Sequence, residues 1–563
     1  MIDKLQLKFG STNGQPKLEI DLTPVTIFVG PNNSGKSKAL IELEAYCNST
    51  GGQGNDLIIE KLNFTPYLRK EIEEELSSIK LTPTSGEKLA PGHAIIGKVS
   101  ASGNQAKRVN AHIESIIQNA INPDKITLNC WYAFFLRLYV IRLDGTNRLN
   151  LLMTQDAGDL QTTPKNLIAN LFINNNLRKK VRQIVFDAIG KYYVIDPTNV
   201  GKLRVRLSER EPHDEREEKG WDDPSVNFHS AAVEITNTSD GIKAFCGIIT
   251  TLLAGDPKIT LIDEPEAFLH PALANVLGKE IGKSLRGTKK RLFAATHSSS
   301  FLMGCIQSGA PLNIVRLTHK NNEATARLLP KDKILHLMRN PLLRSTGVLN
   351  GLFYESVIVT EADSDRAFYQ EINERLLAAN DPRGINNCLF LNAQNKQTVW
   401  DIVKPLREMG IPAVGIVDID VIKEGGQVYN KVLDGIFIPP INRQSFCDQR
   451  IAIHDAFKVS GKDMKRNGGI KILGQSEQEG CVNFCEQLEQ YGSFIVRNGE
   501  LESWLSILAI ETNKSTWLVK IFERMGEDPN DENYLSPSDG DVWDFIGRIK
   551  KWIDDPKRKG IPQ

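Results

Sequence analysis

Val25-Thr26-Ile27-Phe28-Val29 is a continuous apolar run, and it ends in Gly30-Pro31-Asn32-Asn33-Ser34-Gly35-Lys36-Ser37. Lys38-Ala39-Leu40-Ile41-Glu42-Leu43 then carries helix-forming residues. A buried strand, a glycine loop and a helix in that order constrain the chain to an α/β sheet with a phosphate-binding loop at a strand end. The glycines let backbone N–H groups close around phosphates, and the helix N-terminus adds its positive dipole end. In such a loop Lys36 reaches the β- and γ-phosphates of ATP, and Ser37 offers its hydroxyl to Mg²⁺. Gly30, Asn32, Asn33, Ser34, Gly35, Lys36 and Ser37 are therefore the candidate nucleotide-binding residues.

Two further apolar runs end in polar residues of matching use. Ile259-Thr260-Leu261-Ile262 delivers Asp263 and Glu264, and Arg291-Leu292-Phe293-Ala294-Ala295 delivers Thr296 and His297. A carboxylate at Asp263 can hold Mg²⁺ or its water shell, Glu264 can polarise an attacking water, and His297 can sense the γ-phosphate.

A second acidic pattern begins much later. Ser356-Val357-Ile358-Val359-Thr360 reads as a strand, followed by Glu361-Ala362-Asp363-Ser364-Asp365 and a helix from Arg366 to Leu377. Another strand, Ala413 to Val417, leads into Asp418-Ile419-Asp420, and strand alternation would send both aspartates to one side. Four carboxylates (Glu361, Asp365, Asp418, Asp420) converging in apolar surroundings would repel unless cations were bound. Hard oxygen ligands favour Mg²⁺ or Mn²⁺, and such a site suits phosphodiester cleavage.

Length and charge frame these motifs. At 563 residues the chain exceeds the roughly 250–300 at which single domains stop growing. Lys+Arg and Asp+Glu stand at 69 each, so nucleic-acid contact must use local basic patches. The first residues lack a signal-peptide layout, and no apolar run approaches the roughly 18 residues of a membrane span. Eight scattered cysteines fit a reducing cytoplasm, and Cys481 and Cys485 read as buried or incidental thiols rather than zinc ligands. The spacing also predicts an amphipathic helix over 66–79 behind a Gly51–Gly54 loop, and a solvated loop over the charged stretch 208–223. No heptad pattern marks a long coiled-coil arm. The expected architecture is α/β in both halves, with a mixed insertion at about 50–190 and a junction near 350.

The segments LIDEPEAFLHP and AATHS resemble the Walker B and switch-histidine regions of ABC-type ATPase heads, the kind found in RecF-like and structural-maintenance proteins. Thr238-Ser239-Asp240-Gly241 is similar to that class's signature loop, keeping mainly Ser239 and Gly241. The resemblance implies a head-to-head homodimer, or a higher homo-oligomer, in which Ser239 and Gly241 complete the ATP site of a second subunit. It also offers Gln155 as the metal-contacting glutamine. The later pattern resembles the TOPRIM domain of topoisomerases, primases and OLD-family (overcoming-lysogenisation-defect) nucleases, with Ala362 where the family usually has glycine. Phe494 to Glu502 is similar to that domain's late strand and Gly-x-Leu-Glu turn, which makes Glu502 an added metal ligand. A lysine often completes such sites, and Lys396, Lys550 and Lys551 all remain open. An ABC-type head over 1–350 followed by a TOPRIM domain over 351–563 is the OLD-family arrangement. It implies a cytoplasmic, ATP-binding, Mg²⁺-dependent DNA endonuclease acting against phage, with the insertion as a dimerisation region. A partner protein or an RNA–DNA component is implied as well. The alternatives are a non-nucleolytic ATP-switched scaffold that senses DNA or a partner, a primase or topoisomerase activity, and a RecF-like repair ATPase.

Overall fold

Apolar strands flanked by helices place two parallel sheets in this chain, one in each of two compact units, Met1–Lys331 and Asp332–Gln563. The computed structural model describes residues 1–562 apart from 13, 49–54, 85, 100–106, 124–133, 162–163, 321, 340, 342–346 and 511–513. The Gly51–Gly54 loop lies outside the described residues.

In the first unit, strand β1 (Val25–Val29) is buried at every position and leads through the glycine loop into helix α1 (Lys36–Asn48). Strand β2 (Val140–Leu143), helix α2 (Asp240–Ala254), and strands β3 (Ile259–Asp263), β4 (Arg291–Ala295), β5 (Leu312–Lys320) and β6 (Glu323–Leu328) follow. They form a six-stranded sheet in the order β6-β5-β1-β4-β3-β2. All neighbours are parallel except the edge pair β5–β6. The loop strand β1 therefore sits inside the sheet, one strand away from β3, so the residues following β1, β4 and β3 emerge side by side at one edge. In open sheets of this kind ligands bind at the carboxyl ends of the strands.

The segment read as an insertion is woven into this unit. Strand β2 lies within it yet extends the central sheet, and Ile59–Phe64 pairs antiparallel with Ile2–Leu7 in a separate three-stranded sheet. The amphipathic helix spans Arg69–Ser78 and buries Ile72 and Leu76. The charged stretch is not a solvated loop throughout. Asp214 caps a short helix, Glu215–Lys219, and Glu218 is buried against Arg178 and Arg182. A carboxylate with two guanidinium partners can leave water where an unpaired one cannot.

In the second unit, strand β7 (Ser356–Thr360), helix α3 (Asp363–Ala378), strand β8 (Cys388–Asn392), helix α4 (Lys396–Glu408), strand β9 (Ala413–Asp418) and strand β10 (Ser493–Val496) build a four-stranded parallel sheet, order β8-β7-β9-β10. Val357, Ile358 and Val359 are fully buried, and each such side chain contributes about 1.5–3 kcal/mol relative to exposure. The chain runs from β7 to β8 on one flank and then to β9 on the other. The carboxyl ends of β7 and β9 therefore flank a topological switch point, the position where open sheets of this kind bind ligands. Cys481 and Cys485 lie buried in the helix Gln475–Glu489 as free thiols.

Candidate functional sites

At the nucleotide loop, Gly30 and Gly35 take φ values of +143° and +92°. A Cβ on Gly30 would stand 2.0 Å from the Leu317 carbonyl oxygen, so no side chain fits there. Ser34 and Lys36 are buried, while Asn32, Asn33 and Ser37 face solvent. The Lys36 ammonium folds back over the loop, donating to the carbonyls of Gly30 (2.9 Å) and Pro31 (2.7 Å) and to Ser34 Oγ (3.3 Å). Burial pushes its pKa down to about 8, against the pull of Glu264, Asp263 and Glu266.

Ser37 Oγ donates to Asp263 Oδ1 at 3.0 Å, across 226 residues of sequence. Burial raises the Asp263 carboxyl, offset by the Ser37 bond. Glu264 is exposed and sits in the left-handed region at φ +48°, its N–H donating to the Ala295 carbonyl at 2.8 Å. Non-glycine residues rarely hold that conformation, and it costs about 1–3 kcal/mol. His297 is half-buried, with its pKa lowered by burial and by Lys36, and its N–H donates to Glu266 Oε1 at 2.8 Å.

Two members of this site escaped sequence reasoning. Arg148 is buried, and its guanidinium donates to the carbonyls of Glu264 (2.6 Å), Asp263 (2.8 Å) and Asp144 (2.9 Å). It therefore holds the backbone of both acidic residues. Glu266, two positions past Glu264, ties this segment to His297. Ser239 stands exposed at the N-terminus of α2, and Gly241 is buried where a Cβ would come 2.6 Å from the Phe268 carbonyl oxygen. Among the described residues, no hydrogen bond or ion pair joins Ser239 or Gly241 to the glycine loop. Gln155 is buried in a short strand paired with Leu203, and its Nε2 donates to the Leu151 carbonyl at 3.2 Å.

In the second unit, Glu361, Asp418 and Asp420 each offer a carboxylate oxygen, all within 4.8 Å of one another. The Asp418 N–H donates to Glu361 Oε1 at 3.0 Å. Strand alternation does not align the aspartates as expected. The strand stops at Asp418, and Ile419–Lys423 forms a 3₁₀ turn with Ile419 buried. The turn swings Asp420 back toward Asp418. Asp420 Oδ1 is buried without a hydrogen-bond partner.

Asp365 stands apart from this trio. Its Oδ2 accepts the Ala362 N–H at 2.9 Å, closing the first turn of α3. A carboxylate at a helix N-terminus gains from the dipole, but burial and Asp418 still push its pKa up to about 7, with Glu502 adding to the rise. Glu361 rises to about 8 through burial and Asp418. The Asp418 carboxyl is also raised by burial, against the pull of Lys465.

Of the three candidate lysines, Lys396 reaches the cluster. It lies 3.2 Å from Asp420 Oδ2 and 2.6 Å from Glu424 Oε1. Lys550 instead pairs with Asp554 at 2.6 Å, and Lys551 is exposed. The closer cation is Lys465, whose Nζ is 2.6 Å from Asp418 Oδ2 and 3.7 Å from Asp420 Oδ2. Burial alone would lower its pKa, but Asp418, Asp420 and Glu361 raise it. Its local sequence, Lys-Asp-Met-Lys-Arg-Asn-Gly-Gly, carries no signal beyond the paired glycines. Glu502 lines a cleft of about 470 Å³ that also exposes Lys465.

Residues 163–303 match the family model described as "AAA domain, putative AbiEii toxin, Type IV TA system". The match takes in Asp263, Glu264 and His297. The chain contains an AAA-type ATPase domain. No curated protein matches the chain. Among solved structures, the chain is similar to an SmcHead bound to the C-winged helix domain of ScpA, at 14% identity and TM-score 0.33, covering 60% of this chain and 99% of that one. It is also similar to the SMC head domain from Thermotoga maritima, at 12% identity and TM-score 0.29, covering 58% and 99%. A Smc head domain with an extended coiled coil, derived from Pyrococcus furiosus and bound to the C-terminal domain of ScpA, matches at 14% identity and TM-score 0.33, covering 60% and 98%. Among the described residues, no helix is long and apolar enough to cross a membrane.

Proposed function

We propose that this chain is an ATP-switched, metal-dependent DNA endonuclease, an ABC-type head followed by a TOPRIM-type nuclease domain in the OLD-family arrangement. One observation carries the reading. Three carboxylates from two strand ends converge within 4.8 Å at a switch point, and one of their buried oxygens lacks a hydrogen-bond partner.

That donor set fits Mg²⁺ or Mn²⁺, with Glu361, Asp418 and Asp420 as ligands and Glu502 as an added one. Such a cation supplies Lewis-acid stabilisation of a phosphodiester undergoing hydrolysis. Asp365 shapes the turn that presents Glu361, and Lys465 and Lys396 hold the carboxylates in register. In the head, Lys36, Ser37 and Asp263 would hold ATP with Mg²⁺, Glu264 would orient the attacking water, and His297 would face the γ-phosphate. The exposed Ser239 loop suits completion of a second subunit's site, so ATP gates the assembly as a homodimer or larger. A role against phage follows from the resemblance, and the toxin named in the matched family description points toward the same biology.

Supercoiled plasmid incubated with the protein and Mg²⁺ or Mn²⁺, with and without ATP, tests this. Wild type should cut and Glu361→Ala should not. Plasmid left intact by both proteins under every condition would sink the nuclease assignment.

A second reading draws on the Lys465–Asp418 pair, which compensates the cluster without a cation. The unit would then be a scaffold switched by ATP. A cellular phenotype that survives Asp418→Ala but disappears in Lys36→Ala would select it.

A further inference from the structure

Beside the carboxylate trio, the cleft of about 470 Å³ is lined by the cations Lys465, Arg466 and Lys471, by the carboxylates Glu500, Glu502 and Asp541, and by no aromatic side chain. Its walls are locked backbone to backbone. Gly469, at φ +61°, approaches the Arg497 carbonyl so closely that a Cβ would stand 2.0 Å from it, and Gly499, at φ +122°, approaches the Lys465 carbonyl to 2.1 Å in the same sense. The Ile470 N–H donates to the Arg497 carbonyl at 3.0 Å, and Ile419 N–H to the Gly499 carbonyl at 3.2 Å. Through Ile419 the cleft wall is bonded directly to the turn that carries Asp418 and Asp420.

Arg466 and Lys471 stand exposed at this cleft. Among the described residues neither side chain makes a hydrogen bond or an ion pair, whereas Lys396 and Lys465 are both paired. Two exposed cations that feel Asp463 and Asp541 only through space, beside a preformed hollow and next to the proposed phosphodiester-type metal site, can take the phosphates of an anionic ligand of matching size. The volume falls in the range of roughly 300–1,000 Å³ that seats one compact small-molecule-sized body. A nucleotide is such a body, and a base pair in a duplex is not.

We propose that the cleft seats one unpaired nucleotide adjoining the phosphate at the carboxylates, with Arg466 and Lys471 on the flanking backbone phosphates. This rests on the nuclease reading and narrows its substrate to an unpaired phosphodiester strand, such as a single strand, a gap or a frayed end. Without aromatic walls there is no stacking platform, so the strand is held by backbone charge and read without regard to sequence.

The test uses the full chain in chelator, fluorescein-labelled single-stranded DNA and RNA of two unrelated sequences, and a blunt duplex of each. Single strands should bind at least about tenfold tighter than the duplex, alike for both sequences. The double substitution Arg466→Ala with Lys471→Ala should weaken them uniformly and make the salt slope shallower by about 1.4, at roughly 0.7 per lost contact. The DNA and RNA arms report which sugar the cleft admits. A duplex bound as tightly as the strand, or an unchanged slope in the double variant, would overturn the assignment. Since binding is read without metal, the two readings fail separately. A wild type that binds strands through these side chains yet cuts nothing in Mg²⁺ or Mn²⁺ removes the nuclease reading alone. Cleavage with affinity and slope indifferent to both substitutions removes the cleft assignment alone.

Discussion

Lys36 and Lys465 are both withdrawn from water, yet their charges are displaced in opposite directions. Lys36 is held by loop carbonyls and a hydroxyl, and burial brings its pKa down to about 8. Lys465 sits on Asp418, with Asp420 and Glu361 beyond, and these carboxylates raise it despite burial. Carbonyl dipoles satisfy the Lys36 donors without cancelling its charge, so the ammonium is poised to exchange them for an anionic phosphate. Lys465 already has its anions, and it stands in as counter-charge for a cluster that cations can also neutralise. On the proposed reading, one site receives negative charge and the other positive.

The largest break in this contrast is Lys36→Ala. Loss of a preorganised charge at the phosphates should lower steady-state ATP hydrolysis on the order of 10²–10³-fold while leaving metal-dependent stabilisation of the second unit intact. Lys465→Met should act the other way round. Without metal it leaves the carboxylates uncompensated and costs about 2–3 kcal/mol in chemical denaturation. Added Mg²⁺ should recover much of that loss, and a deficit indifferent to Mg²⁺ would break the comparison.

Arg148→Lys tests the backbone clamp under the first site. A lysine lacks the rigid planar guanidinium that spans the carbonyls of Asp144, Asp263 and Glu264, so kcat for ATP should fall about tenfold, roughly 1.4 kcal/mol, with KM little changed. A rise in KM alone would instead assign Arg148 to nucleotide binding. The smallest expected effect is the pH dependence of the metal-free protein. Glu361 and Asp365 are raised to about 8 and about 7, so the folded state binds more protons than the unfolded state from about pH 4 upward. Stability is then lost as pH rises from about 5.5 to 8.5 in chelator. Thermal unfolding should also show a larger Mg²⁺-induced gain at the higher pH. A flat profile would mean the cluster is already neutralised by Lys465 and Lys396.

Much of this was legible from residue order. The strands Val25–Val29, Arg291–Ala295 and Ser356–Thr360 have the bounds their apolar runs announce, because a strand buried on both faces needs no tertiary information to be seen. The charged stretch around Glu218 misled for the converse reason. A carboxylate reads as solvated until the arginines that meet it, 36 and 40 residues away, are known. Asp420 reached its place through a 3₁₀ turn rather than strand alternation, a choice made by the burial of Ile419.

What the sequence by itself determined is the inventory and its local placement: a glycine loop on a strand, acidic residues at strand ends, and α/β units to carry them. Those follow from short-range backbone sterics and hydrophobic period. Only the tertiary structure decided which charges meet. Ser37 found Asp263, Arg148 found two carbonyls, and Lys465 rather than Lys550 or Lys551 took the place beside Asp418. Pairing is a property of distance in space, set by sheet order and by the close backbone approach at Gly469 and Gly499, and no local pattern encodes it.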